Sequence, residues 1–366
     1  MKKRFSILLV SIVILGLTLS LSGVLVSQAA PNEGLSRPIP ATDVKIVKKI
    51  PLPVDVGEIK GKPQTPPGKD KNGGSKEAAT GILGDSATGE RYAIVIGICD
   101  YPGEDYDLCK SDGDSLRMYK ALTTLYGYDS GNIYLFKDMG GTYFEENSTD
   151  NIPTIIAEKP TWKNILDAIS AINASSTSPE DEVVFFFSGH GADGLVDDGD
   201  NERRDEGMVV HNNDSTGIAY IWDGELKTAF TGFATNRIAF VFDTCLAGGM
   251  NDLADTGRVI SMGTSETNVA YVYSSEKVNQ DKMEDVDGDN QPDGEGVFTR
   301  YFVHKGMIDG LADTYDHDKN TVFGEPNDVV IEEAFDYAKE IIENSIYNRQ
   351  KPTISDRFEN DLLLGY

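Results

Sequence analysis

The chain of 366 residues carries 60 acidic side chains against 33 basic ones, a formal charge of -27 at neutral pH. Such an excess of carboxylates argues against a nucleic-acid partner, because phosphate binding needs clustered cations; it fits a solvated surface, or loops whose carboxylates gather calcium. Three cysteines are too few for a disulfide scaffold, and the odd count leaves at least one thiol without an internal partner. Cys99 and Cys109 stand close enough in sequence to pair, which would isolate Cys245.

In chain order, residues 1–30 read as an export signal: Lys2, Lys3 and Arg4, an apolar run from Ile7 to Val26, then Ser27-Gln28-Ala29-Ala30 for a signal peptidase. A secreted product follows. The same run, left uncleaved, is long enough to span a bilayer and would be the only link to a membrane. Residues 31–90 are rich in Pro, Gly and Lys and are expected to form a linker or pro-segment. From Arg91 to the end, residues 91–366 are expected to form one large α/β domain. Apolar runs at Tyr92–Ile98, Ile133–Phe136, Val183–Phe187, Ile238–Phe242 and either Val259–Met262 or Ala270–Tyr273 predict strands. Helical spacing predicts helices over Asp114–Tyr126, Thr161–Ile172 and Asn327–Ile346. This alternation is that of a mostly parallel central sheet flanked by helices. The unbroken apolar character of the third and fourth runs marks central strands, whose carboxyl ends are where ligands bind in such sheets.

Those two ends carry the candidate chemistry: Ser188-Gly189-His190-Gly191 after one strand, Asp243-Thr244-Cys245-Leu246-Ala247-Gly248 after the next. A thiol needs a base nearby to react as thiolate, and imidazole is suited to shuttle that proton. Cys245 would attack a carbonyl, His190 would protonate the leaving amine, and the backbone N–H groups of Gly191 and Cys245 would face the oxyanion. His211, His304 and His317 lack such a setting and read as surface or loop residues. Asp243 lies two residues before Cys245, so the two side chains share a face. A carboxylate there needs a partner, and an arriving Lys or Arg side chain is one.

Ser-Gly-His-Gly followed by Asp-x-Cys-x-x-Gly resembles the caspase-like cysteine peptidases, and within them the metacaspases and their prokaryotic relatives. The resemblance implies a caspase-like α/β/α sandwich and a Cys-His peptidase that needs no cofactor for its chemistry. It also implies cleavage after Arg or Lys, read by Asp243 and by a second aspartate that matches Asp114, with Asp112 as the neighbouring alternative. By the same resemblance, Asp214, Asp223 and Asp252 would hold calcium. A separate loop, with Asp285, Asp287, Asp289 and Asp293 at mostly alternate positions, suits calcium on its own pattern. Self-processing could follow Arg203 or Arg204, Lys277, Lys282 or a lysine of the pro-segment. The competing class is a catalytically inactive caspase-fold module that binds calcium in a surface or regulatory role.

Overall fold

The computed structural model describes residues 37–52, 78–107, 111–138, 140–143, 155–199, 202, 204–273, 294–315, 329–345 and 349–366. The export signal, Cys109, Arg203, Lys277, Lys282, His317 and the loop with Asp285, Asp287, Asp289 and Asp293 lie outside the described residues. Among the described residues no helix is long and apolar enough to cross a membrane.

A six-stranded sheet organises the domain, with strands β3 (Arg91–Gly97), β4 (Ile133–Lys137), β7 (Glu182–Ser188), β11 (Ile238–Asp243), β12 (Arg258–Met262) and β15 (Thr353–Asp356). Their order is β15-β12-β11-β7-β3-β4, and every pairing is parallel except that of the edge strand β15. Because side chains alternate along a strand, each run that is apolar throughout feeds both faces. Ala93, Val95, Val184, Phe186, Ala239 and Val241 enter one core, with α1 (Asp112–Thr124), α4 (Ile331–Asn344) and the helical stretch from Val297 to Ile308. Ile94, Ile96, Phe185, Phe187, Phe240 and Phe242 enter the other, under α2 (Trp162–Ser175) and α3 (Asp223–Ala229). The expected α/β/α sandwich is therefore present. Thr161, following Pro160, opens α2 by accepting a hydrogen bond from the Asn164 N–H at 3.1 Å.

Of the two candidates for a fifth strand, Val259–Met262 joins the main sheet, whereas β13 (Tyr271–Tyr273) forms a separate small sheet with β14 (Glu295–Gly296) and β2 (Ile50–Pro51). A third sheet, antiparallel throughout, runs β1-β8-β9-β10, from β1 (Thr42–Val47), β8 (Gly191–Leu195), β9 (Asp205–His211) and β10 (Ile218–Trp222). Residues 42–51, in the stretch read as linker or pro-segment, thus supply one strand to each of the two smaller sheets. A short hairpin of β5 (Gly141–Tyr143) and β6 (Ile155–Ala157) completes the pairing.

Candidate active site

Parallel register brings the two motifs together. β7 and β11 pair with Ser188 opposite Asp243, so His190 and Cys245 each stand two residues beyond a matched pair. Gly191 then runs against the backbone of Cys245 so closely that an added Cβ would overlap the Cys245 carbonyl oxygen. Only glycine allows that approach. Just after the cysteine, Leu246 adopts a left-handed conformation (φ 61°), which turns the chain sharply from strand into the helical turn Ala247–Leu253.

The imidazole is held on every side. The His190 backbone N–H donates to the Tyr101 hydroxyl at 2.9 Å, and the Tyr101 ring stacks on the imidazole with centroids 5.0 Å apart. Nε2 faces the Tyr106 carbonyl at 3.0 Å, and Nδ1 accepts from the backbone N–H of Lys49 at 3.2 Å. Burial pushes the His190 pKa down to about 4, with help from the charges of Lys49 and Lys48. Cys245 is likewise buried, its sulfur accepting the Ala270 N–H at 3.2 Å, and burial pushes the thiol up to about 11. The pair is thus a neutral imidazole beside a neutral thiol.

Beside them lies a pocket floored by two fully buried carboxylates. Asp243 accepts two hydrogen bonds on Oδ2 from Thr299, N–H and hydroxyl, each at 2.8 Å. Asp114, near the start of α1, accepts from the Gly296 N–H at 3.0 and 3.1 Å and from the Ser188 hydroxyl at 2.6 Å. Gly296 is required here, since a Cβ would overlap the Asp243 carboxylate. Burial raises the Asp114 carboxyl to about 7, opposed by Lys49 and reinforced by Asp243. Asp112, the alternative, faces away and pairs with Lys137 at 2.8 Å.

Into this pocket projects Lys49. Its ammonium lies 2.9 Å from Asp243 Oδ1, 2.9 Å from the Ser188 hydroxyl, 3.5 Å from that of Ser111 and 4.0 Å from Asp114 Oδ2. Sequence reading had not named Lys49, and had quoted Ser188 in its motif without giving it a role. The signal for Lys49 was the apolar run around it, Val44, Ile46, Val47 and Ile50, which is strand-like rather than linker-like.

A second acidic group forms beside β9. Asp198, Asp205 and Asp223 are buried and can each turn an oxygen to within 4.8 Å of the others. Burial and these neighbours push the Asp223 carboxyl up to about 9, and its Oδ1 has no hydrogen-bond partner among the described residues. Three hard oxygen donors converging in a dry site suit a calcium ion. Of the aspartates expected for this role, Asp223 is present in the cluster; Asp214 is exposed and accepts from Thr216, and Asp252 pairs with Lys227 at 3.3 Å. Asp198 and Asp205, absent from the expectation, stand with Asp223 instead, and Asp198 accepts the Gly224 N–H at the start of α3 at 2.9 Å. The histidines also differ from expectation. His211 is buried, with Nε2 2.9 Å from the Asp100 carbonyl, and His304 is buried against Glu295 at 3.0 Å, in a cluster with Arg117 and Arg300. Both are buried residues with polar partners rather than surface or loop residues.

Residues 91–254 match the family described as Metacaspase, peptidase C14 domain. Among curated proteins, Metacaspase-1 of Kluyveromyces lactis is 30% identical over 173 residues, 46% of this chain and 36% of that protein. Metacaspase-1A of Neurospora crassa is 27% identical over 196 residues, 52% of this chain and 39% of that one. The chain therefore spans well under half the length of these relatives. Among solved structures, the Drosophila initiator caspase Dronc matches with TM-score 0.41 at 11% identity, covering 75% of this chain and 83% of that one. Motif and family match agree: residues 91–254 are similar to the metacaspase, peptidase C14 domain.

Proposed function

We propose that the protein is a secreted cysteine endopeptidase that cuts peptide bonds after Lys or Arg. The observation that carries this reading is Lys49, whose ammonium sits between two buried carboxylates beside Cys245. A pocket that solvates an ammonium with Asp243, Asp114 and the Ser188 hydroxyl will accept the cationic side chain of a substrate in the same way. It offers an acidic side chain only repulsion. In turnover Cys245 would give its proton to His190 and attack the scissile carbonyl; the oxyanion would face the N–H groups of Gly191 and Cys245. The imidazolium would then return the proton to the departing amine, leaving a thioester for water to hydrolyse.

Calcium belongs to this reading as a structural ion held by Asp198, Asp205 and Asp223. It would neutralise three converging charges next to β9, and no bond-making step passes through it. The decisive assay supplies calcium and peptides with Arg, Lys or Asp before the scissile bond. Hydrolysis of the first two, with about 10³-fold or greater loss in Cys245→Ala, is the expected outcome. Equal hydrolysis of the Asp peptide, or activity that survives the loss of the sulfur, overturns it.

A further inference from the structure

One side chain meets the backbone of His190 and its ring together. The Tyr101 hydroxyl accepts the His190 N–H at 2.9 Å and donates its own proton to the Val209 carbonyl at 3.2 Å. The Val209 N–H in turn donates to the His190 carbonyl at 3.0 Å. The three bonds close a ring that grips His190 through Tyr101 on one side and through β9 on the other. A phenol suits the position because it accepts and donates at a single buried atom; Tyr101 is 2% exposed. Gly189 completes the fit, since a Cβ there would come within 2.6 Å of the Tyr101 hydroxyl.

The aromatic face acts on the imidazole itself. The two rings stack at 5.0 Å and within 18° of parallel, which opposes any tilt of the imidazole out of its plane. A half-turn within that plane is opposed by the Tyr106 carbonyl on Nε2, because it would put a carbon where that nitrogen stands. Tyr101 is braced from behind. Asp138 Oδ1 accepts the N–H groups of Cys99 and Asp100 at 2.7 and 2.9 Å, and the Asp100 carbonyl accepts Nε2–H of His211 at 2.9 Å. The His211 ring also meets that of Tyr101 edge-on, centroids 6.1 Å apart. His211 Nδ1 has no hydrogen-bond partner among the described residues, so the proton of this imidazole stays on the nitrogen that holds Asp100.

We infer that Tyr101 is a positioning residue for the reaction: its hydroxyl fixes the peptide of His190, its ring fixes the imidazole plane, and His211 fixes the turn that carries it. The inference rests on the roles proposed above for Cys245 and His190, and not on which side chain fills the acidic pocket. Tyr101 exchanges no proton in turnover, because burial holds its hydroxyl protonated well above the usual phenol range. It acts by placement. Aim of the imidazole matters when the proton moves and little when a peptide binds, so the loss belongs in kcat and not in KM.

The test compares the full-length chain in calcium as wild type, Tyr101→Phe, Tyr101→Leu, His211→Asn and the Tyr101→Leu, His211→Asn double variant. Competent sites are titrated with an Arg-peptide chloromethyl ketone, so that kcat is expressed per site; a purely structural role would lower the titre and leave that rate alone. Per site, kcat on an Arg peptide should fall about tenfold in Tyr101→Phe, which keeps the stack, and about 100-fold in Tyr101→Leu, with KM within about twofold of wild type in both. His211→Asn should lose about threefold alone and nothing further once Tyr101 is Leu, as for residues acting in series. The second readout is the nitrogen spectrum of histidine-labelled protein, with the His190 signals assigned by their loss in His190→Gln. Wild type should show the proton on Nε2 alone, and Tyr101→Leu a mixture of tautomers. A per-site kcat in Tyr101→Leu within about twofold of wild type overturns the inference, as does a KM that rises as far as kcat falls; a full threefold loss from His211→Asn in the Leu background overturns the part given to His211. If no form hydrolyses a basic peptide, the spectrum decides: an unchanged tautomer in Tyr101→Leu overturns the inference, and a mixed one leaves it standing while the proposed specificity falls.

Discussion

At the scale of single residues, the Lys49–Asp243 pair is the contact on which the proposed specificity rests, and it makes a prediction about stability. Both side chains are fully buried and 2.9 Å apart. Removing one partner of such a pair strands a charge and costs about 3–5 kcal/mol, while replacing both with uncharged groups costs far less. Asp243→Asn should therefore lower the unfolding free energy in urea by about that amount, and Lys49→Met combined with Asp243→Asn should recover more than half of the loss. A loss in Asp243→Asn below about 1 kcal/mol would mean that the pair is not formed. Asp243 was legible because residues two apart on a strand share a face. The choice between Asp112 and Asp114 was not, because both lie in the same helical turn. Residues two apart on a helix point about 200° from each other, so only one can face the pocket, and it is the packing of α1 against β3 that turns Asp114 inward and Asp112 toward Lys137.

Among elements, the central strands were readable from composition, since a strand covered on both faces has no polar positions to interrupt its apolar run. The β1-β8-β9-β10 sheet was not. β8 reads Gly-Ala-Asp-Gly-Leu, which carries neither an apolar run nor a clean alternation, and its pairing is specified by partners distant in sequence. That short strand nevertheless fixes the site, since Gly191 begins it and packs on the Cys245 backbone. Gly191→Ala should force the two strand tips apart. A loss of about 1–3 kcal/mol in urea unfolding, together with at least a tenfold fall in kcat/KM on Arg peptides at little change in KM, is expected. Unchanged kcat/KM would show that the two tips need not touch during turnover.

For the molecule as a whole, the acidity visible in its composition is partly concentrated in one buried place. Asp198, Asp205 and Asp223 offer carboxylate oxygens within 4.8 Å of one another, a crowding that a divalent cation would relieve under the proposed reading. Calcium should raise the melting temperature of wild type, by the linkage between ligand binding and folding. Asp223→Asn should melt higher than wild type in chelator and respond little to calcium. An equal calcium response in the two proteins would locate the ion elsewhere.

The pairing of residues 42–51 with two different sheets has a consequence for how copies of the protein meet. Uncovered, the rims of β8 and β13 present rows of backbone donors and acceptors to any extended chain, which is the geometry of strand-to-strand aggregation. While residues 42–51 stay seated, neither rim can template a neighbour. Displacing them would expose a strand edge on each of two sheets at once, so other extended chains, including further copies, could then pair there.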